Sequence, residues 1–175
     1  RDGTPLTVAA NIGAVAEIET ALAYGAGGVG LLRSELLFLA HGSLLDEETQ
    51  FQLYRQALIA LDGRPLVVRT LDIGGDKPLP QLDLPPEANP FLGWRGLRYC
   101  LDNPALFRPQ LRALLRCAAY GPLKIMLPMV STLDEVLAAK AMIAAEAVQL
   151  AVEGDDLGTL PPIGIMVETP AAVFN

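Results

Sequence analysis

The chain has 175 residues, 51% hydrophobic and 19% charged, enough apolar content for one sizeable folded domain. Its formal net charge of −7, from 13 Lys+Arg against 20 Asp+Glu, argues against nucleic-acid binding and against attachment to an anionic membrane. No apolar run approaches the ~18 residues that span a bilayer, and no basic-then-apolar leader opens the chain, so neither membrane insertion nor secretion is expected.

The elements alternate along the chain. Thr7–Ala10 is a short apolar run ending at Asn11. Glu17–Tyr24 reads as a helix stopped by Gly25. Gly28–Leu32 is a second strand, ending at Arg33. His41 falls in a polar turn, with no Cys, His or Asp at ligand spacing, and reads as a surface residue. Asp46 can cap a helix through about Leu61, with Phe51, Tyr54, Leu58 and Leu61 on one face and Asp62-Gly63 at its end. Pro65–Val68 is the third strand and ends at Arg69.

A Pro- and Gly-rich segment from Asp72 to Asn103 follows, longer than a plain connection and of the kind that carries function. A short helix near Leu92–Tyr99 is expected inside it. Pro104 suits a first helical position, and that helix runs to about Ala119, with a slight kink allowed at Pro109. Arg108, Arg112 and Arg116 recur at four-residue spacing and read as charge on one helix face. Tyr120-Gly121-Pro122 is a turn, and Leu123–Leu127 the fourth strand, ending near Met129. Thr132 and Glu135 make a capping box for a helix to about Val152. Ile163–Val167 is the fifth strand, ending at Glu168. Cys100 and Cys117, both in apolar surroundings, read as reduced core residues of a cytoplasmic protein.

Five β-α steps in a row predict parallel strands covered by helices. A doubly wound sheet and a (β/α)₈ barrel both fit. The barrel is favoured, because Asn11, Arg33, Arg69 and Glu168 all stand at strand ends, where barrels place their chemistry. Five strands do not close a barrel of eight, so the chain is expected to be part of a larger domain.

Parity sharpens the candidate site. Leu31 and Arg33 share a strand face, as do Val67 and Arg69, and Gly164, Met166 and Glu168. Two guanidiniums could clamp a small dianion, and a neighbouring carboxylate could hold Mg²⁺. Other readings stay open: Glu168 pairs with an arginine, Asp72 and Asp76 belong to a solvated turn, Lys77 is a surface lysine, and Asn89-Pro90 with Trp94 and Arg95 is a turn beside a packed aromatic.

Four segments occur in one order: Gly-Val-Gly-Leu-Leu-Arg-Ser-Glu (28–35), Arg-Thr-Leu-Asp-Ile-Gly-Gly-Asp-Lys (69–77), Asn-Pro-Phe-Leu-Gly-Trp-Arg (89–95) and Gly-Ile-Met-Val-Glu-Thr-Pro (164–170). Together they resemble the C-terminal phosphoenolpyruvate-binding domain of the phosphoenolpyruvate–protein phosphotransferase family, the Enzyme I type of the bacterial sugar phosphotransferase system and its multiphosphoryl fusions. The resemblance covers about residue 5 to the end, with residues 1–5 as the end of a linker. It implies a partial (β/α)₈ TIM barrel, residues 1–175 being the truncated domain. It implies that the whole protein moves the phosphoryl group of phosphoenolpyruvate to a histidine of its own N-terminal domain. From there the group passes to a histidine phosphocarrier protein in sugar uptake, and the whole protein is a homodimer. Carried over by motif, Arg33, Arg69 and Arg95 contact the substrate phosphate and Glu168 is one Mg²⁺ ligand. Asn11, Asp72, Lys77 and Asn89 support them from behind. The family's second metal-binding Asp, its neighbouring Asn, a further Arg, the acid Cys and the phospho-accepting His have no match here, and Ser34 stands where Thr is usual. The fragment alone is therefore expected to be inactive. Two alternatives remain: a barrel that senses phosphoenolpyruvate without catalysis, and a barrel of the pyruvate phosphate dikinase or phosphoenolpyruvate synthase type.

Overall fold

The computed structural model describes residues 3, 4, 6–74, 82 and 87–175. Five strands form one parallel sheet: β1 (Ala10–Ile12), β2 (Val29–Arg33), β3 (Leu66–Arg69), β4 (Leu123–Leu127) and β5 (Ile163–Ile165). Their order across the sheet is β1-β2-β3-β4-β5. A doubly wound sheet reverses its order at a switch point. This one runs on in chain order, which is consistent with part of a barrel.

The described residues also form seven α-helices: α1 (Glu17–Ala23), α2 (Ser34–His41), α3 (Glu47–Leu61), α4 (Gly96–Asp102), α5 (Pro104–Cys117), α6 (Leu133–Glu153) and α7 (Pro170–Phe174). Local chemistry sets their ends. The Asp46 carboxylate accepts from Thr49 N–H at 2.8 Å and starts α3, and Asp62 in the left-handed region (φ 47°) ends it. Thr132 and Glu135 exchange both hydrogen bonds of a capping box at the start of α6. Pro104 takes the first turn of α5, where a missing N–H costs nothing, and the helix runs on through Pro109 to Cys117.

One face of the sheet is covered and the other is open. On β3 and β4, Leu66, Val68, Leu123, Ile125 and Leu127 are buried, while the alternate residues Val67 and Met126 are half-buried and Lys124 is exposed. The covered face meets α3 and α5, whose Tyr54, Leu58, Leu61, Phe107, Leu111 and Leu114 are all buried in the core. Each fully buried Leu or Phe contributes about 1.5–3 kcal/mol relative to exposure, so this layer fixes the sheet's position. Cys100 and Cys117 are free and buried, as expected. Burial pushes both thiols up, Cys117 to about 12.

Four expectations need correction. The short helix expected near Leu92–Tyr99 is α4 at Gly96–Asp102, with a separate 3₁₀ turn at Pro90–Leu92 before it. Strand β1 starts at Ala10 rather than Thr7, because regular pairing begins where Ala10 N–H reaches Gly28 O at 2.9 Å; Asn11 is therefore inside the strand. Helix α2 was not anticipated. It follows Arg33 with no intervening loop and ends at Gly42 (φ 74°), so His41 is the last residue of a helix and not part of a turn. Strand β5 ends at Ile165, although Met166 N–H still donates to Leu127 O at 2.8 Å.

Candidate phosphate-binding site

The site grows from the pleat of β3. Val67 and Arg69 face the open side, and Arg69 pairs in register with Arg33 of β2 and with Met126 of β4. The chain ends β3 on a guanidinium that is only 5% exposed, a position that requires compensating carboxylates. Two supply it. Glu35, fully buried in the first turn of α2, forms an ion pair with Arg69 Nη2. Asp72, 1% exposed, lies 3.3 Å from the same nitrogen.

Asp72 also holds Arg95. Arg95 Nε and Nη2 donate to Asp72 Oδ1 at 3.2 and 3.1 Å, and Nη2 reaches Oδ2 at 3.0 Å. This fork places two guanidiniums on one carboxylate. The solvated-turn reading of Asp72 is thus overturned: the aspartate faces inward because two buried arginines need it.

Close approach of the backbone makes this possible. Gly96 sits at φ +57°, and a Cβ there would lie 2.9 Å from the Met129 side chain and 3.2 Å from Asp72 Oδ1. Gly74, at φ +118°, passes so near Arg95 that a Cβ would lie 2.6 Å from the arginine's own Cβ. The loop after β3 and the entry to α4 therefore meet only because both positions lack side chains.

Glu168 follows β5 and is solvent-exposed. Its Oε1 accepts from Met129 N–H at 2.8 Å. Met129 itself has φ 57°, uncommon for a residue with a side chain, and this turn aims its N–H at the carboxylate. Next to it, Thr169 Oγ1 donates to Val130 O at 2.6 Å and accepts from Ala172 N–H at 3.1 Å, which anchors the segment. Among the described residues Glu168 makes no ion pair, so it is not simply an arginine's partner.

Arg69, Asp72, Arg95 and Glu168 line one cleft of about 340 Å³, with Phe91, Leu92 and Met129 as its apolar wall. The other expected residues fall differently. Arg33 is beside Arg69 in register, but does not line the cleft; its Nε is buried without a hydrogen bond among the described residues. Asn11 and Asn89 are exposed and outside the lining. Asp76 and Lys77 lie outside the described residues. Trp94 packs edge-on against Tyr99 at 4.8 Å and donates from Nε1 to Asp102 at 2.6 Å, so it is structural. Arg108, Arg112 and Arg116 pair with Glu47, Glu48, Glu146, Glu153 and Asp155 on the outer helices, as the spacing indicated.

Glu35 and Met129 were given no role from sequence. Glu35 carried a signal, an acidic residue two places after a strand-ending arginine. Met129 carried none, because its contribution is a backbone angle.

No group of three or more His, Cys, Asp or Glu side chains among the described residues could enclose a metal ion. A cation that takes one carboxylate and otherwise keeps water or ligand oxygens is the kind that fits Glu168, an exposed hard oxygen donor in the cleft.

Buried arginines thus line a cleft at the C-terminal ends of the parallel strands of an α/β domain. Over residues 1–175 the sequence matches the family model described as "PEP-utilising enzyme, PEP-binding domain", and the chain belongs to that family. It is 50% identical over 170 residues to the phosphoenolpyruvate-protein phosphotransferase of Staphylococcus epidermidis, 97% of this chain. It is also 50% identical over 171 residues to the protein of that name from Geobacillus stearothermophilus, and 49% over 170 residues to that from Staphylococcus carnosus. The chain spans about 30% of the length of these relatives.

Proposed function

We propose that this chain is the phosphoenolpyruvate-holding part of a phosphoenolpyruvate–protein phosphotransferase. One observation carries the reading: Arg69 and Arg95, both buried and both tied to Asp72, line a single cleft with Glu168 at the strand ends. Guanidinium forks match the oxygens of a phosphate, and burial of the two guanidiniums strengthens the attraction. Arg33, beside Arg69, is the third cation for the same phosphate. Lys77, Asn11 and Asn89 are supporting residues in this reading.

The charges also account for a metal. Arg33, Arg69 and Arg95 are balanced by Glu35, Asp72 and Glu168, so a multiply charged anion needs further positive charge. Mg²⁺ held by Glu168 would supply it, neutralising the substrate's carboxylate and phosphate. The protein's own residues then do the positioning on which phosphoryl transfer depends. The arginines hold the phosphoryl oxygens while the bond from phosphorus to the enol oxygen breaks. The phosphoryl group passes to a histidine nitrogen, and the enolate leaves to be protonated to pyruvate.

The accepting histidine belongs to the whole protein's N-terminal domain in this reading, with a histidine phosphocarrier protein as the next acceptor in sugar uptake. The whole protein is a cytoplasmic homodimer, and the open face of the sheet is the interior of a (β/α)₈ barrel. The chain's one histidine, His41, is exposed at the end of α2 and outside the cleft, so the chain by itself binds but does not turn over. Phosphoenolpyruvate supplied with Mg²⁺ to the isolated chain should release no pyruvate, while titration calorimetry shows binding. Pyruvate release by the chain alone, or no heat of binding, would overturn the reading.

A further inference from the structure

Behind the cleft runs a buried polar chain that the phosphate-holding residues do not account for. Gln110 of α5 is 1% exposed and does not line the cleft. Its Oε1 accepts from Leu71 N–H at 2.8 Å. Its Nε2 donates to Ser34 Oγ and to Tyr54 Oη, each at 3.1 Å. The Tyr54 hydroxyl donates to Gln50 Oε1 at 3.2 Å, and Gln50 Nε2 donates to Leu45 O at 2.9 Å. Ser34, Tyr54 and Gln50 are all buried.

The direction of these bonds is self-consistent. A hydroxyl has one proton, and Tyr54 gives its proton to Gln50, so Tyr54 must accept from Gln110. The Gln110 amide therefore turns its nitrogen toward Ser34 and Tyr54 and its oxygen toward Leu71 N–H. Rotating the amide by half a turn would set NH₂ against the Leu71 N–H and leave two buried donors facing each other.

The partners matter more than their number. Leu71 immediately precedes Asp72, and Ser34 immediately precedes Glu35. These are the two carboxylates that share Arg69 Nη2. Gln110 thus holds, with one planar group on a third element, the residues next to both.

We propose that Gln110 is a positioning residue for anion binding: it sets the spacing between the start of α2, which carries Glu35, and the loop that carries Asp72, and through them the pose of Arg69. Without its amide, the Leu71 N–H is buried without an acceptor, and the Asp72 loop must shift to find one. The arginine fork moves with it. The proposal rests on the reading of the cleft as the phosphoenolpyruvate site.

The test separates positioning from plain stability. Gln110→Met, which keeps the length and removes the polar atoms, is compared with Tyr54→Phe, which removes the two hydrogen bonds of the Tyr54 hydroxyl but leaves the bonds of Gln110 to Leu71 and Ser34 in place. Thermal melts and calorimetric titration with phosphoenolpyruvate and Mg²⁺ are run on the chain and its variants, with Arg69→Ala as the control that loses the ligand. Both test variants should melt lower than wild type. Only Gln110→Met should also bind more weakly, by about tenfold, at a temperature where circular dichroism shows it folded. Should Gln110→Met fail to fold, Ser34→Ala removes one arm alone and should weaken binding by about threefold. Wild-type affinity in a folded Gln110→Met, or in Ser34→Ala where only that variant folds, overturns the positioning role. A folded wild type that binds no phosphoenolpyruvate overturns the reading of the cleft instead, and the positioning role falls with it.

Discussion

The molecule uses the same chemistry twice, to different ends. At the strand tips, Arg69 and Arg95 share Asp72, with side chains only 6% and 7% exposed. On the outer helices, Arg112 and Arg116 also share a carboxylate, Glu47, but their side chains are 19% and 20% exposed and Glu47 is 26% exposed. The outer cluster is wet and built from many interchangeable partners. Hydrogen bonds to Glu153 and Glu47 hold the Arg112 guanidinium protonated even more firmly than usual, yet pairs of this kind add little net stability. The inner cluster is dry, its partners are few, and it opens on a cleft. Burial therefore separates the arginines that brace the outer helices from those that the proposed function assigns to a ligand.

Breaking the inner cluster should have the largest effect. Arg69→Ala leaves Glu35 and Asp72 buried with less compensation, and should cost about 3–5 kcal/mol in urea unfolding. Gly96→Ala should cost about 2 kcal/mol and weaken phosphoenolpyruvate binding, because a Cβ at φ +57° crowds Met129 and Asp72. Arg112→Ala should cost about 1 kcal/mol, less in high salt, with binding unchanged.

The smallest effect sharpens the comparison through pH. The carboxyls of Glu48 and Glu153 are held below their ordinary value of 4.5, chiefly by hydrogen bonds from Gln52 and Arg112 respectively. Groups with lowered folded values contribute stability that is complete above pH 4.5 and lost as pH falls through those lowered values. Acid titration of wild type should therefore show a gradual loss beginning below about pH 4.5. Glu153→Gln should flatten that slope slightly. An unchanged acid profile would remove the outer cluster from the stability account.

Most of the scaffold was legible in the residues. Apolar runs of four or five residues, the Asp46 cap, the Thr132–Glu135 box and the Asp62-Gly63 stop each act locally, so their elements other than β1 fall within a residue or two of expectation. Helix α2 was missed because its apolar stretch, Leu36 to Leu39, shows no polar periodicity and no loop separates it from β2. Strand parity placed Arg69 correctly, since the pleat leaves no alternative face. The burial of Asp72 was not readable, because it depends on Arg95, 23 residues away. Gln110 had a faint signal, a polar residue on the buried face of α5 between Phe107 and Leu114. Its partners are Ser34, at the start of α2, and Leu71, in the loop after β3, and spacing within one helix cannot reveal them. The strained Met129 backbone, which aims an N–H at Glu168, left no trace in residue type at all.

The comparison between the two clusters is tested most directly by calorimetric titration of phosphoenolpyruvate, with Mg²⁺, into wild type, Arg95→Ala and Arg112→Ala side by side. Wild type and Arg112→Ala should bind alike, and Arg95→Ala should bind at least about fiftyfold more weakly, on the scale of a lost charge-assisted fork. Unchanged binding in Arg95→Ala, or an equal loss in Arg112→Ala, would contradict the assignment of the inner arginines to the phosphate.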